Sequence, residues 1–165
     1  MRVSTPRERE TGSFSAGLPR CAEAGVQLRN EVLPRGDLLA LMNCCDCYVS
    51  LHRSEGLGLG MAETMLMGKP VIATGYSGNL DFMNDGNSYL VKYERKASEV
   101  DHPPYPKGSV WAYPDEDHAA ELMRYVVEHL EEAKAKGAKA KTDLERDLSP
   151  AAYAERLKAR LAPAK

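Results

Sequence analysis

The sequence has 165 residues and no apolar run approaching the ~20 that cross a bilayer, so no transmembrane segment is expected. It also lacks an excess of one charge. Its 22 Lys and Arg against 24 Asp and Glu leave a net charge of −2, which gives no electrostatic case for nucleic acid or an anionic membrane. The opening MRVSTPRERETGSFS has no apolar core of a secretory signal, and a cytoplasmic chain is the expectation. Three of the four cysteines stand together in CCDC, where Cys44 and Cys47 have C-x-x-C spacing. Structural zinc needs four ligands, and no second Cys or His pair lies at finger spacing, so no metal is expected. The cysteines read instead as small apolar residues, Cys44 and Cys45 ending a helix and Cys47 entering a strand. No internal repeat is visible, and the hydrophobic and charged fractions, 43% and 28%, are those of a globular chain.

What is present is an alternation of short apolar strands with helices. Residues 1–25, rich in Arg, Glu, Ser, Gly and Pro, are expected as a poorly structured segment, and residues 26–165 as one α/β domain. VQLRNEVL, 26–33, alternates weakly and is read as a strand. Asp37 is read as the N-cap of a helix carrying Leu38, Leu41 and Met42. CYVSL, PVIAT and NSYLV are expected as adjacent parallel strands, the first two of the kind buried on both faces. Between them a helix through Met61, Met65 and Leu66 closes at Gly68, with Pro70 beyond. Residues 92–114, containing HPPYP, read as a long polar connection. Asp115 or Asp117 caps a helix with Ala119, Leu122, Met123, Val126, Val127 and Leu130 at the 3.6 period. EEAKAKGAKAK is expected as the exposed, charged tail of that helix, and a last helix begins at Ser149 with Pro150 in its first position.

The stretch SLHRSEGLGLGMAETMLMGKPVIAT, 50–74, carries the chemistry. In parallel α/β sheets ligands bind beyond the carboxyl ends of the strands, where loops enter helices. Gly56, Gly58 and Gly60 let the backbone approach a ligand there, and the helix start behind them adds partial positive charge suited to a phosphate. It is not a P-loop, since no Lys-Ser/Thr pair follows Gly60, nor a dinucleotide G-x-G-x-x-G, since the last position is Met61. Two acids bracket the loop at the spacing Glu55-x7-Glu63. Isolated, such a pair reads as a helix-start charge and a solvated loop residue. With glycines between them and strands on both sides, carboxylates for hydroxyls and amides for phosphate fit a nucleotide-sugar.

SEGLGLGMAETMLMGKPVIATGYSGN resembles the donor-binding segment of retaining GT-B glycosyltransferases of the family four type, the glycosyl transferases group 1. The resemblance spans about residues 26–130 and is densest from 47 to 91. It implies a partial Rossmann-like α/β fold, with parallel sheet and flanking helices, that binds a nucleoside diphosphate sugar as donor substrate and needs no cofactor. By it Glu63 binds the ribose hydroxyls, and Glu55, at the catalytic position, contacts the donor sugar and helps place the anomeric carbon. Gly58, Leu59 and Gly60 meet the diphosphate or sugar through their backbone. The second loop, Gly75, Tyr76, Ser77, Gly78 and Asn79, lies near the base, and Arg53 is either a phosphate contact or a solvent-facing arginine. The sugar passes to an acceptor hydroxyl with retention.

The chain departs from the family by a non-aromatic Leu57 and by Gly60 where Pro or Thr is common. Nothing resembling the family's two preceding strand–helix units, or its acceptor-binding domain, is seen in residues 1–25. An alternative from another class is therefore a non-catalytic nucleotide-binding remnant or interaction module. A GT-B epimerase shares the architecture, but its acids and histidines are not located here. With those strands absent, the edge of CYVSL is expected to be open to self-association, and the isolated chain to transfer no sugar.

Overall fold

The computed structural model describes residues 23–101 and 103–161. The chain divides after Arg35 into two compact units. Of the first, residues 23–35 are described, and the strand expected over 26–33 is not formed. Val26, Leu28 and Val32 are exposed, Val32 at 96%, and no strand among the described residues pairs with them. Alternation without a sheet to join does not make a strand.

The first helix after the division, α1, is Arg35–Cys44, all but its first residue in the second unit. This helix starts two residues before the expected cap, so Asp37 lies in its first turn, where a carboxylate still complements the helix dipole. Of its expected apolar face only Met42 is buried. Three parallel strands follow in the order β1 (Tyr48–Ser50), β2 (Val71–Thr74), β3 (Tyr89–Val91), with Tyr48 opposite Val71 and Ile72 opposite Tyr89. The three expected strands are thus adjacent and parallel. Strand β2 is fully buried, but β1 is not: it is an edge strand among the described residues, and Val49 is 37% exposed.

Helix α2, Leu59–Leu66, connects β1 to β2. It ends in a Schellman motif: the N–H of Gly68 donates to Met65 O at 2.8 Å and that of Lys69 to Thr64 O at 3.2 Å. Gly68 supplies the left-handed φ of +76° this closure requires. Side chains alternate along β2. Val71 and Ala73 enter a core with Met61, Met65, Phe82, Ala140 and Leu144, while Ile72 enters a second with Tyr89, Val91, Ala119 and Val126. Helices therefore cover both faces, and a fully buried side chain such as Ile72 contributes about 1.5–3 kcal/mol.

Residues 92–114 are not a structureless connection. Strands β4 (Tyr93–Ala97) and β5 (Val110–Pro114) form an antiparallel ribbon, Arg95 opposite Ala112. The exposed ERK run of β4 has no apolar face, so its period was invisible. Helix α3, Glu116–Glu128, is capped by Asp115, whose carboxylate accepts from His118 N at 2.9 Å. The chain breaks at His129 and continues as α4, Leu130–Asp147.

Helix α4 corrects the expectation of a charged tail. Ala133, Gly137, Ala140 and Leu144 are buried while Lys134, Lys139 and Lys141 face water. A Cβ at Gly137 would run into Gly68 O and lie 2.8 Å from Lys69 C and 2.9 Å from Pro70 N. The helix can approach the turn before β2 because residue 137 has no side chain. Helix α5, Pro150–Leu161, begins as expected, Ala152 N donating to Ser149 Oγ at 3.1 Å. No helix among the described residues is long and apolar enough to cross a membrane.

Candidate functional site

Two loops leave the carboxyl ends of neighbouring strands, residues 51–58 after β1 and 75–77 after β2. The first ends at Gly58, the N-cap of α2, at φ +89° and ψ +53°. That left-handed conformation, disfavoured by ~1 kcal/mol or more for residues with a Cβ, starts the helix without a side-chain cap. Gly58 O accepts from Ala62 N at 3.0 Å, so the helix is backbone-bonded from its first turn. The N–H groups of Leu59, Gly60 and Met61 precede any intrahelical partner and point out of that end. Leu59 is 66% exposed, and Thr64 Oγ1 donates to Gly60 O at 2.7 Å.

The two loops are clamped together through backbone. Ser77 Oγ donates to Glu55 O at 2.6 Å, Gly78 N donates to the same oxygen at 3.1 Å, and Glu55 N donates to Ser77 Oγ at 3.3 Å. Ser77 takes φ +83°, a rare conformation for a residue with a side chain, and this turns its hydroxyl onto the neighbouring loop. A Cβ on Gly78 would collide with Gly56 O and lie 2.6 Å from Gly56 C. The glycine at 78 is thus required by closeness.

A second tie runs through His52. Its Nε2 faces Tyr76 O at 3.0 Å and Asn79 Oδ1 at 3.2 Å, while Nδ1 faces Ser50 Oγ at 3.2 Å. Asn79 is buried and donates its Nδ2 to Thr74 O at 3.1 Å, which leaves Oδ1 as the acceptor. Two acceptors around Nε2 assign the ring proton there, and Nδ1 accepts from Ser50. Gly75 N donates to Val91 O at 3.0 Å, fixing the start of the second loop to β3.

Both acids are half-buried, Glu55 on the clamped segment and Glu63 at the fifth position of α2. The phenol of Tyr48, on β1, connects them electrostatically. It is pushed above its ordinary pKa by burial and then by the charges of Glu55 and Glu63. A Cβ on Gly60 would lie 2.8 Å from Tyr48 Oη, so this phenol packs directly beneath the start of α2. Sequence reasoning passed over Tyr48, because an aromatic residue in a short strand signals core.

Arg53 is exposed, its guanidinium 4.6 Å from the centroid of the Tyr113 ring. Its carbonyl accepts from Ala112 N of β5 at 2.9 Å, so the ribbon is joined to the glycine loop. Tyr76 is half-buried and packs on Tyr93 of β4 with ring centroids 5.1 Å apart. The arrangement offers outward amides at an uncapped helix start, with an acid before it in the chain at Glu55 and another within the helix at Glu63. Among the described residues no group of three His, Cys, Asp or Glu could hold a metal ion.

The family profile described as Glycosyl transferases group 1 matches residues 9–101, starting upstream of the region that carries the sequence resemblance. No curated protein matches. Among solved structures the fold is similar to that of Anabaena HepE in complex with UDP and glucose, at 18% identity and a TM-score of 0.65 over 93% of this chain and 37% of that one. The complex of the same protein with UDP-glucose gives 19% identity and a TM-score of 0.64 over 94% and 38%. The chain therefore spans little more than a third of the length of those structures, and what it shares with them is the α/β fold of a GT-B glycosyltransferase.

Proposed function

The chain belongs to the glycosyl transferases group 1, and on that premise we propose that it is the donor-binding part of a retaining transferase, holding a nucleoside diphosphate sugar across the start of α2. One observation carries this reading: the uncapped N–H groups behind left-handed Gly58 start a helix that bears half-buried Glu63, just after half-buried Glu55 on a loop hydrogen-bonded to its neighbour. In the reading, the amides of Leu59, Gly60 and Met61 take the diphosphate and stabilise the charge it gains on departure. Glu63 accepts from the adjacent ribose hydroxyls. Glu55 accepts from a hydroxyl of the sugar and orients the anomeric carbon, so catalysis rests on positioning. The loop 75–79 holds the Glu55 backbone in place while its outer side faces the base. UDP is the first nucleotide to try, because the similar HepE structures contain it.

Strand β1 has no outer neighbour among the described residues. Self-association through that edge is expected to appear as a concentration-dependent mass. Titration calorimetry with nucleoside diphosphates tests the reading. Saturable one-site binding of at least one of them supports it; no heat with any, and none with their sugar conjugates, removes it.

A further inference from the structure

The β4–β5 ribbon supplies something the glycine loop does not need for a nucleotide. Between them lies a cleft of about 470 Å³, with Arg53, Ser54 and Glu55 on one side and Tyr105, Ser109 and Trp111 on the other. That volume is within the ~300–1,000 Å³ of small-molecule sites. The Tyr105 and Trp111 rings meet nearly edge-to-face, 6.0 Å apart at 72°. Tyr105 is nevertheless 57% exposed, an aromatic held in place outside the core.

The wall is built to stay where it is. Gly108 N donates to Ser98 O at 2.9 Å, Ser98 N to Ser109 O at 2.9 Å, and Lys107 N to Asp101 Oδ1 at 2.6 Å. Ala112 ties β5 to Arg53 O, and the Arg53 guanidinium is laid over Tyr113. The one cation of the lining, Arg53, lies over Tyr113 and is matched by the one acid, Glu55, so the cleft has no net positive charge to hold a phosphate. The complementary ligand has an apolar C–H face for the rings and hydroxyls for a carboxylate and two serines. That is a neutral pyranose.

Resting on the donor-binding reading above, we propose that Trp111 and Tyr105 form a stacking wall for a neutral sugar ring opposite Glu55. The same chemistry is presented by the sugar of a nucleotide donor and by a free saccharide, and the two are separable. Trp111 is the only tryptophan in the chain, so its emission reports the wall directly. UDP-glucose is expected to shift or quench Trp111 emission while UDP, bound in the same concentration range by calorimetry, leaves it unchanged. If the ring belongs to an acceptor instead, a free gluco-oligosaccharide moves the emission and UDP-glucose does not. Tyr105→Ala is expected to weaken the saccharide that moves Trp111 by about 2- to 12-fold, the scale of one aromatic contact, with UDP affinity unchanged. Circular dichroism checks that the variant is folded, and Tyr105→Phe is expected to retain binding. Trp111 emission indifferent to UDP-glucose and to the oligosaccharide overturns the wall, whether or not UDP binds. Absence of UDP binding with a saccharide response sinks the nucleotide reading alone.

Discussion

Gly78 and Gly137 sit at opposite ends of the sheet, and each lets two backbones touch where a Cβ would collide with a carbonyl. At the amino end, α4 presses Gly137 onto Gly68–Pro70, and the flanking Ala133, Ala140 and Leu144 are sealed from water. At the carboxyl end, Gly78 lets the second loop close on Gly56, yet Gly56, Leu57 and Leu59 stay exposed and Glu55 and Glu63 half-buried. The same device closes a core at one end. At the other it fixes a backbone whose amides and carboxylates remain open to a ligand. Close backbone packing therefore does not by itself identify a site; what it leaves uncovered does.

If that contrast is right, the two glycines fail differently. Gly137→Val is expected to have the largest effect on stability. Any side chain there meets backbone that cannot move away, so the loss should reach the ~1–3 kcal/mol of an overpacked core or more, read as a lower urea midpoint. It should occur even though replacing a helical glycine by alanine ordinarily gains up to ~1 kcal/mol, so Gly137→Ala is also expected to destabilise. Gly78→Ala should separate the loops and cost tenfold or more in nucleotide-sugar affinity, about 1.4 kcal/mol, with a smaller shift in the urea midpoint. A variant at 78 that unfolds as readily as one at 137 would erase the distinction.

Removing a polar tie is a milder perturbation. Ser77→Ala deletes the hydroxyl that donates to Glu55 O and accepts from Glu55 N, and about 1 kcal/mol is expected to be lost from stability and binding together. At the other end a charge does comparable work. Asp143 on α4 accepts from Lys139 at 2.6 Å and from Asn87 at 3.2 Å, and Arg146 is 3.4 Å away. The Lys139 hydrogen bond, then those of Asn87 and the nearby charges, hold its carboxyl below the usual carboxylate range. A lowered folded pKa contributes stability above the unfolded value near ~3.9, and that stability is lost as pH falls through the folded value. Thermal melts between pH 7 and 2 should show Asp143→Asn less stable at neutrality and converging with the wild type in acid.

Legibility in the sequence followed how local the signal was. The end of α2 is readable because Gly68 tolerates the left-handed closing angle and Pro70 cannot continue a helix, and the start of α5 because Ser149 caps it and Pro150 presets φ in its first turn. The three sheet strands were readable as apolar runs between such punctuation. Helix α4 reads as a solvated tail because its buried stripe is alanine and glycine before Leu144, which scarcely registers against ten charged residues in the same helix; only the turn it meets explains it. Strand β4 carries no apolar face, and Trp111 and Tyr105 line a cleft with Glu55 in a ribbon joined to the glycine loop by the Ala112–Arg53 hydrogen bond. The glycines and the two acids stand out in the sequence by their spacing. The links between the loops, His52 and Ser77 above all, join residues 22 to 27 positions apart and leave no pattern in the chain.

The two acids are expected to divide one ligand between them, Glu63 taking the nucleotide and Glu55 the sugar. Titration calorimetry of UDP and UDP-glucose against the wild type, Glu63→Ala and Glu55→Ala tests it most directly. Glu63→Ala is expected to weaken both ligands by about 1–3 kcal/mol, while Glu55→Ala weakens UDP-glucose and leaves UDP nearly unchanged. Equal UDP affinity for the wild type and Glu63→Ala would contradict it.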